Sequence, residues 1–187
     1  MGLVLLIAHP LHAARVPETK TPISVAGKDF HAISFTEIDY DSNKVKTKQV
    51  VDQSLDITSP APSRINSLLL SQFAVLANAE LTEAGYVVSS EKDKSRFQIA
   101  GTITSGEFKI FIPEGRNCVR CLMTFNWKLF DTFQQKNIAE FTVKSYGVNP
   151  GQDNGGIIVC FRNGVKNLLA EKGFVEAINY SLLFLYY

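Results

Sequence analysis

The stretch GRNCVRCLMTFNWKLFD, residues Gly115–Asp131, decides both the fold and the chemistry open to this chain. Its second half alternates. Met123, Phe125, Trp127 and Leu129 fall on one side of an extended backbone, and Thr124, Asn126 and Lys128 on the other. A two-residue period marks a half-buried strand, because successive side chains in a strand point to opposite faces. Asp131–Asn137 is polar turn chemistry, and Phe141 and Val143 then alternate with Glu140, Thr142 and Lys144. The spacing predicts a return strand, and so an antiparallel pair with one face buried.

The same period extends upstream. Arg96–Thr104 carries Phe97, Ile99 and Ile103 on one side, with Gly101 on that side, where a neighbour can approach the backbone closely. Phe108, Ile110 and Ile112 continue the alternation until Pro113 stops it, and Tyr86–Val88 is a short strand before it. Nearer the N-terminus, Asp29–Ile38 reads as a strand with His31, Ile33 and Phe35 on one face and Phe30, Ala32 and Ser34 on the other. Asp41–Asn43 is a turn, and a second strand is expected over Lys46–Leu55.

Helical spacing appears twice. Ser59–Ser63, with its prolines, reads as a helix start, since the first turn loses no N–H partner to proline. Ile65, Leu69, Phe73, Leu76 and Leu81 then recur near helical intervals until Gly85, which suits a left-handed cap. Asn149–Gly156 reads as a loop, with Asp153 or Asn154 as the cap of a second helix carrying Ile158, Phe161, Val165, Leu168 and Leu169. Gly173 is expected to break it, Phe174–Ile178 to form a final turn or short helix, and the apolar tail Ser181–Tyr187 to lie extended on the domain. The fold expected is α+β: a mostly antiparallel sheet of about five to seven strands with two main helices packed on one face.

The 187 residues, 45% apolar and 20% charged, suit one domain with a proper core. Nineteen basic against eighteen acidic residues leave a net charge of +1, which gives no field to attract nucleic acid. The basic cluster Lys44–Lys48 is flanked by Asp39, Asp41 and Asp52 and reads as a solvated strand face. Leu3–Ala8 is an apolar run followed by Pro10, the small residues Ala13 and Ala14, and then Arg15. That order is how a secretory signal ends, although no Lys or Arg precedes the run. The division expected is a signal segment over 1–14, a Pro- and Thr-rich tether over 15–28, and a single domain over 29–187. The apolar run is too short to span a bilayer, so an integral membrane protein is not expected.

Cys118 and Cys121 form the C-x-x-C that most looks like chemistry. A thioredoxin-type pair sits at a helix N-terminus, whose dipole lowers the thiol pKa, whereas Cys121 leads straight into a strand pattern. Zinc wants about four ligands. Cys118, Cys121 and Cys160 with His31 would supply them, but they are scattered, and no metal or cofactor is expected. In an exported chain a structural Cys118–Cys121 disulfide is the leading reading. Residues three apart in a strand lie roughly 10 Å apart on opposite faces, so the bridge requires a tight turn at Asn117–Arg120. Free, partly buried thiols remain the other reading, and Cys160 reads as a core residue. Of the three histidines, His9 and His12 fall in the signal segment, and His31 has no evident catalytic partner. The glycines before the second helix match no phosphate-binding pattern.

Leu81–Val88, Phe97–Ile103 and Phe125–Asp131, followed by a last helix over Asn163–Val175, resemble bacterial envelope accessory lipoproteins. These are the outer-membrane activators of penicillin-binding proteins and the curli-assembly lipoproteins. The resemblance spans about residues 65–178 and departs from the family in the C-x-x-C and in lacking a lipidation cysteine. It implies an αβ-sandwich without catalysis that binds another envelope component. The expectation is an exported, non-enzymatic domain, periplasmic or outer-membrane-associated, with an envelope-protein partner and no nucleic acid. The alternatives are a thiol–disulfide oxidoreductase using Cys118 and Cys121, and a small-ligand carrier using a gap between sheet and helices.

Overall fold

A computed structural model describes residues 16–25, 31–40, 45–51, 55–60, 67–111, 118–150 and 155–183. The expected signal segment, the Asp153 or Asn154 cap, the Gly115–Asn117 turn and the end of the apolar tail lie outside them. The strands are β1 (Ile33–Tyr40), β2 (Val45–Val51), β3 (Leu55–Pro60), β4 (Phe97–Phe111), β5 (Cys118–Asp131) and β6 (Lys136–Pro150). The helices are α1 (Ser67–Glu83), α2 (Gly155–Leu169) and α3 (Lys172–Leu183). The chain is α+β, built on one sheet in the order β3-β2-β4-β5-β6, with β1 also paired to β4.

The sheet is mixed, which corrects the expectation of a mostly antiparallel one. β1 pairs with the first half of β4 and β2 with the second half, and both run parallel to it. Only β2–β3, β4–β5 and β5–β6 are antiparallel among the described pairings. The reason is the route of the chain. β1 and β2 advance along the edge of β4, and α1 carries the chain back before β4 begins. A return made by a helix produces parallel neighbours, where a tight hairpin would produce antiparallel ones. β3 occupies Ser59 and Pro60, read from sequence as a helix start; proline is tolerated at the end of a sheet-edge strand.

β4 is a single strand through the alternation that the sequence carries from Phe97 past Phe108. Its register shifts between Ile103 and Ser105, an irregularity of the bulge type. The shift moves the buried phase from Phe97, Ile99 and Ile103 to Phe108, so both apolar sets face the helices. On β5, Cys121, Met123, Phe125, Trp127 and Leu129 all point inward. A Cβ on Gly101 would stand 2.5 Å from the Trp127 ring, so the glycine leaves the space that the indole of its cross-strand partner fills.

Helix α2 brings Phe161 into the centre of the core. Its ring stacks on Phe73 of α1 at 4.1 Å and meets Phe125 and Trp127 at 5.9 and 6.2 Å. Helix α3 is longer than the short turn expected and runs through Ser181 to Leu183; the break before it falls at Ala170–Glu171. Its Phe174 packs against Tyr86 and Phe141. α1 and α2 are also clasped by charge. The buried Glu80 carboxylate of α1 takes Arg162 at 2.5 Å and Lys166 at 3.6 Å, both from α2.

Residues 16–25, inside the stretch expected as a tether, lie docked on this helical layer. The Ile23 amide donates to Leu169 O at 3.0 Å, the Val25 amide donates to Ala84 O at 2.9 Å, and Val25 is fully buried. Asn167 of α2 stitches the segment to β6: its Nδ2 donates to Glu18 O and to Lys144 O, and its Oδ1 accepts from the Lys20 amide. One turn earlier on the helix, Asn163 Nδ2 donates to Tyr146 O at 2.7 Å. β6 ends the sheet on this side, and the two asparagines take up edge carbonyls that would otherwise be open to another chain.

Candidate functional site

The starts of β1 and β4 and the β5–β6 turn converge at one end of the sheet on a cleft of about 470 Å³, lined by His31, Asp93, Lys94, Ser95, Arg96, Thr132 and Phe133. The pairings Ile33 with Phe97 and Phe97 with Asp131 set its floor. Asp131 is fully buried and organises the turn. Its Oδ1 accepts from the Phe133 amide at 2.9 Å and the Gln134 amide at 3.2 Å. Its Oδ2 accepts from Gln134 Nε2 at 3.1 Å and from Arg96 Nη2 at 3.3 Å. An aspartate accepting from amides two and three residues ahead is the chemistry that starts a tight turn. Gln135 completes it with φ 54°, in the left-handed region.

Thr132 locks the turn to the start of β4. Its amide donates to Arg96 O, and its hydroxyl donates to Arg96 O at 2.9 Å and Ser95 O at 3.1 Å. Behind it the buried Ser34 and Ser95 hydroxyls share a 2.6 Å hydrogen bond. On this framework Phe133 stands 70% exposed, with the Arg96 guanidinium 5.7 Å from its ring and 5.2 Å from the ring of Phe97. An arginine between aromatic faces gains from the ring quadrupole while its stem covers apolar surface. The cleft therefore presents an exposed aromatic ring, a held guanidinium, and the exposed His31, Asp93 and Lys94.

The sequence-level candidates are placed as follows. His31 lies at the cleft, just before β1. Cys118 and Cys121 lie on one continuous strand: Cys118 pairs with Phe111, Arg120 with Lys109 and Cys121 with Phe108. The tight turn that a Cys118–Cys121 bridge requires is therefore not formed over Cys118–Arg120, and Cys121 is a free, buried thiol. Burial, with smaller contributions from the hydrogen bond and charge of Cys160, pushes the Cys121 pKa well above that of a free thiol. A thiol–disulfide enzyme needs the opposite, an accessible thiol of lowered pKa. The four-ligand set of Cys118, Cys121, Cys160 and His31 does not assemble either. Cys121 pairs with Phe108, whereas His31 precedes the residue paired with Phe97. Eleven residues of strand put them about 35 Å apart. Among the described residues no group of three or more His, Cys, Asp and Glu could hold a metal ion. The space between sheet and helices, considered for a small ligand, is filled at its centre by Phe73, Phe125, Trp127 and Phe161.

Sequence reading missed Arg96 and Phe133. The available signal was a phenylalanine inside the otherwise polar run Asp131–Asn137, a position with no apolar phase to explain it.

No family model and no curated protein matches the chain. Solved structures of similar layout include a Xanthomonas campestris protein of the DUF330 family, with TM-score 0.49, 10% identity, and coverage of 90% of this chain and 96% of that one. The PelC dodecamer of Paraburkholderia phytofirmans has TM-score 0.35 and 10% identity over 81% of this chain and 95% of its own. A minor lipoprotein of Acinetobacter baumannii has TM-score 0.32 and 10% identity over 74% and 95%. No helix among the described residues is long and apolar enough to cross a membrane.

Proposed function

We propose that this chain is an exported, non-catalytic domain of the bacterial cell envelope that binds another envelope protein through the sheet-end cleft around Phe133 and Arg96. The observation that carries the reading is Phe133: a large aromatic side chain, 70% exposed, on a turn whose backbone is held by the buried Asp131. Aromatic and arginine side chains are enriched at the energetic centres of protein interfaces. A turn whose backbone is already fixed before contact has less to order on binding. The signal-like start of the sequence and its resemblance to envelope accessory lipoproteins support the location. The lining of the cleft carries both signs of charge around the ring, Asp93 beside Lys94, Arg96 and His31, which suits a protein segment with an apolar anchor for the ring and polar groups at its rim.

The test is site-specific photo-crosslinking in cells. A photoreactive phenylalanine analogue at Phe133 is expected to yield a discrete adduct in the envelope fraction. The same analogue at Val75, equally exposed on the outer side of α1, is expected to yield none. Adducts at both positions alike, or at neither, would refute the assignment. Finding the protein in the cytoplasmic fraction would refute the location.

A further inference from the structure

The buried thiols Cys121 and Cys160 come from two elements that have no contact in sequence. Cys121 is on β5 and sits directly opposite Gly147 of β6. Cys160 is on α2 and rests on that same glycine: a Cβ built there would overlap Cys160 N and lie 2.8 Å from Cys160 Cα. Directly paired residues of an antiparallel ladder are about 5 Å apart and share a face. Gly147 is thus a common neighbour of the two cysteines, and Cys160 is close enough to contribute to the raised pKa of the Cys121 thiol. Both residues are fully buried. Ser145 of β6 also reaches Cys160: its hydroxyl lies 3.2 Å from Cys160 Sγ and its carbonyl oxygen accepts from it at 3.6 Å.

We infer that Cys121 and Cys160 are a disulfide pair, joining β5 to α2 when the chain folds in an oxidising compartment. In a cell this rests on the export proposed above; in vitro it does not. The oxidant is a disulfide of the glutathione class. The thiolate of one cysteine attacks it and releases one thiol, forming a mixed disulfide. The thiolate of the second cysteine attacks the protein sulfur of that intermediate and releases the other thiol. The two cysteine protons end on the two released thiols, and two electrons pass from the protein to the oxidant. Thiol exchange requires access, and neither sulfur has any once α2 is seated. The bond is therefore made during folding, before the helix closes over Gly147, and is sheltered from reductant afterwards.

The experiment refolds the denatured full chain in a glutathione redox buffer. Remaining thiols are blocked with N-ethylmaleimide under denaturing conditions, and unreduced peptides are mapped by mass spectrometry. The expected result is a linked peptide pair containing Cys121 and Cys160, with Cys118 carrying the label. A Cys118–Cys121 link, a Cys118–Cys160 link, or label on all three cysteines would overturn the inference. A second readout avoids variants that fail to fold. Full reduction of the wild-type protein is expected to lower its Tm by about 5–15 °C, and the same loss is expected in Cys118→Ser. An equal Tm in oxidised and reduced protein would overturn it as well. No cellular compartment enters this assay, so its failure would leave the proposed function standing, and failed export would leave the pairing standing.

Discussion

At Gly147 the absence of a side chain is a steric requirement. A Cβ there would overlap Cys160 N and Gly156 O, both backbone atoms of α2 that no rotamer change can move. Gly147→Ala therefore has to lift the helix. Overpacking of this kind costs about 1–3 kcal/mol, so Tm should fall by about 3–10 °C. A Tm unchanged by that substitution would mean that α2 seats differently. Residue-level burial also sets the response to alkali. Burial raises the pKa of the Cys121 thiol and of the Tyr86 phenol above their ordinary values. The folded chain then keeps protons that the unfolded chain releases. The stabilisation from these groups is complete below their unfolded pKa values and is lost as pH rises. For the reduced protein, the urea midpoint should hold up to about pH 8.5 and decline beyond it as unfolded thiols ionise. Above about pH 10 it should decline more steeply as tyrosine joins, each group adding at most about 1.4 kcal/mol per pH unit. In oxidised protein bridged through Cys121 the first step disappears and the second remains. A reduced protein whose midpoint is flat to pH 10 would contradict the burial of that thiol.

At the scale of elements, the α1–α2 clasp is asymmetric. Glu80 is buried, whereas the side chains of Arg162 and Lys166 are 45% and 29% exposed. Removing the carboxylate leaves two cations that water can reach; removing the cations leaves a buried charge. The Arg162→Ala/Lys166→Ala double variant should therefore lose about 3–5 kcal/mol, and Glu80→Gln should lose clearly less. Chemical denaturation distinguishes the two, and equal losses would mean that Glu80 is not buried in solution. Asn167 supplies a second inter-element prediction. Asn167→Ala removes the bonds to Glu18, Lys20 and Lys144, so trypsin should cut at Lys20 faster in the variant than in the parent. How legible these elements were depended on whether their cause is local. The inward phases of Ile33 and Phe35, of Phe97 and Ile99, and of Phe125 and Trp127 followed from alternation alone, and Phe161 and Val165 from helical spacing. The parallel course of β1 and β2 against β4 did not, because strand direction depends on which element returns the chain. β3 was hidden because Ser59 and Pro60 suit a helix start as well as a strand end. The bulge after Ile103 shows only as a change of phase between Ile103 and Phe108, which also fits two separate strands.

For the whole molecule, the architecture puts its two chemically distinctive places at opposite ends of β4. Cys121 is opposite Phe108, with Cys160 on α2, and the exposed ring is at the Phe97 end, in the cleft beside the β5–β6 turn. Stability and recognition should then separate. Phe133 makes its described ring contact with Arg96 at the surface and contributes nothing to the buried core. Phe133→Ala should therefore leave Tm within about 2 °C of the parent, the range of surface substitutions away from the core. Against the partner captured by crosslinking, the same variant should weaken binding by about thirtyfold or more, the loss expected of an interface hot spot of about 2 kcal/mol. Phe133→Tyr, which keeps the ring and its stack on Arg96, should restore most of that affinity. Asp131→Asn should affect both properties, because it weakens the bond to Arg96 in the buried framework and loosens the turn that aims the ring. An Ala variant at Phe133 that unfolds with the core, or one that binds as tightly as the parent, would place the ring in the framework of the fold or outside the interface.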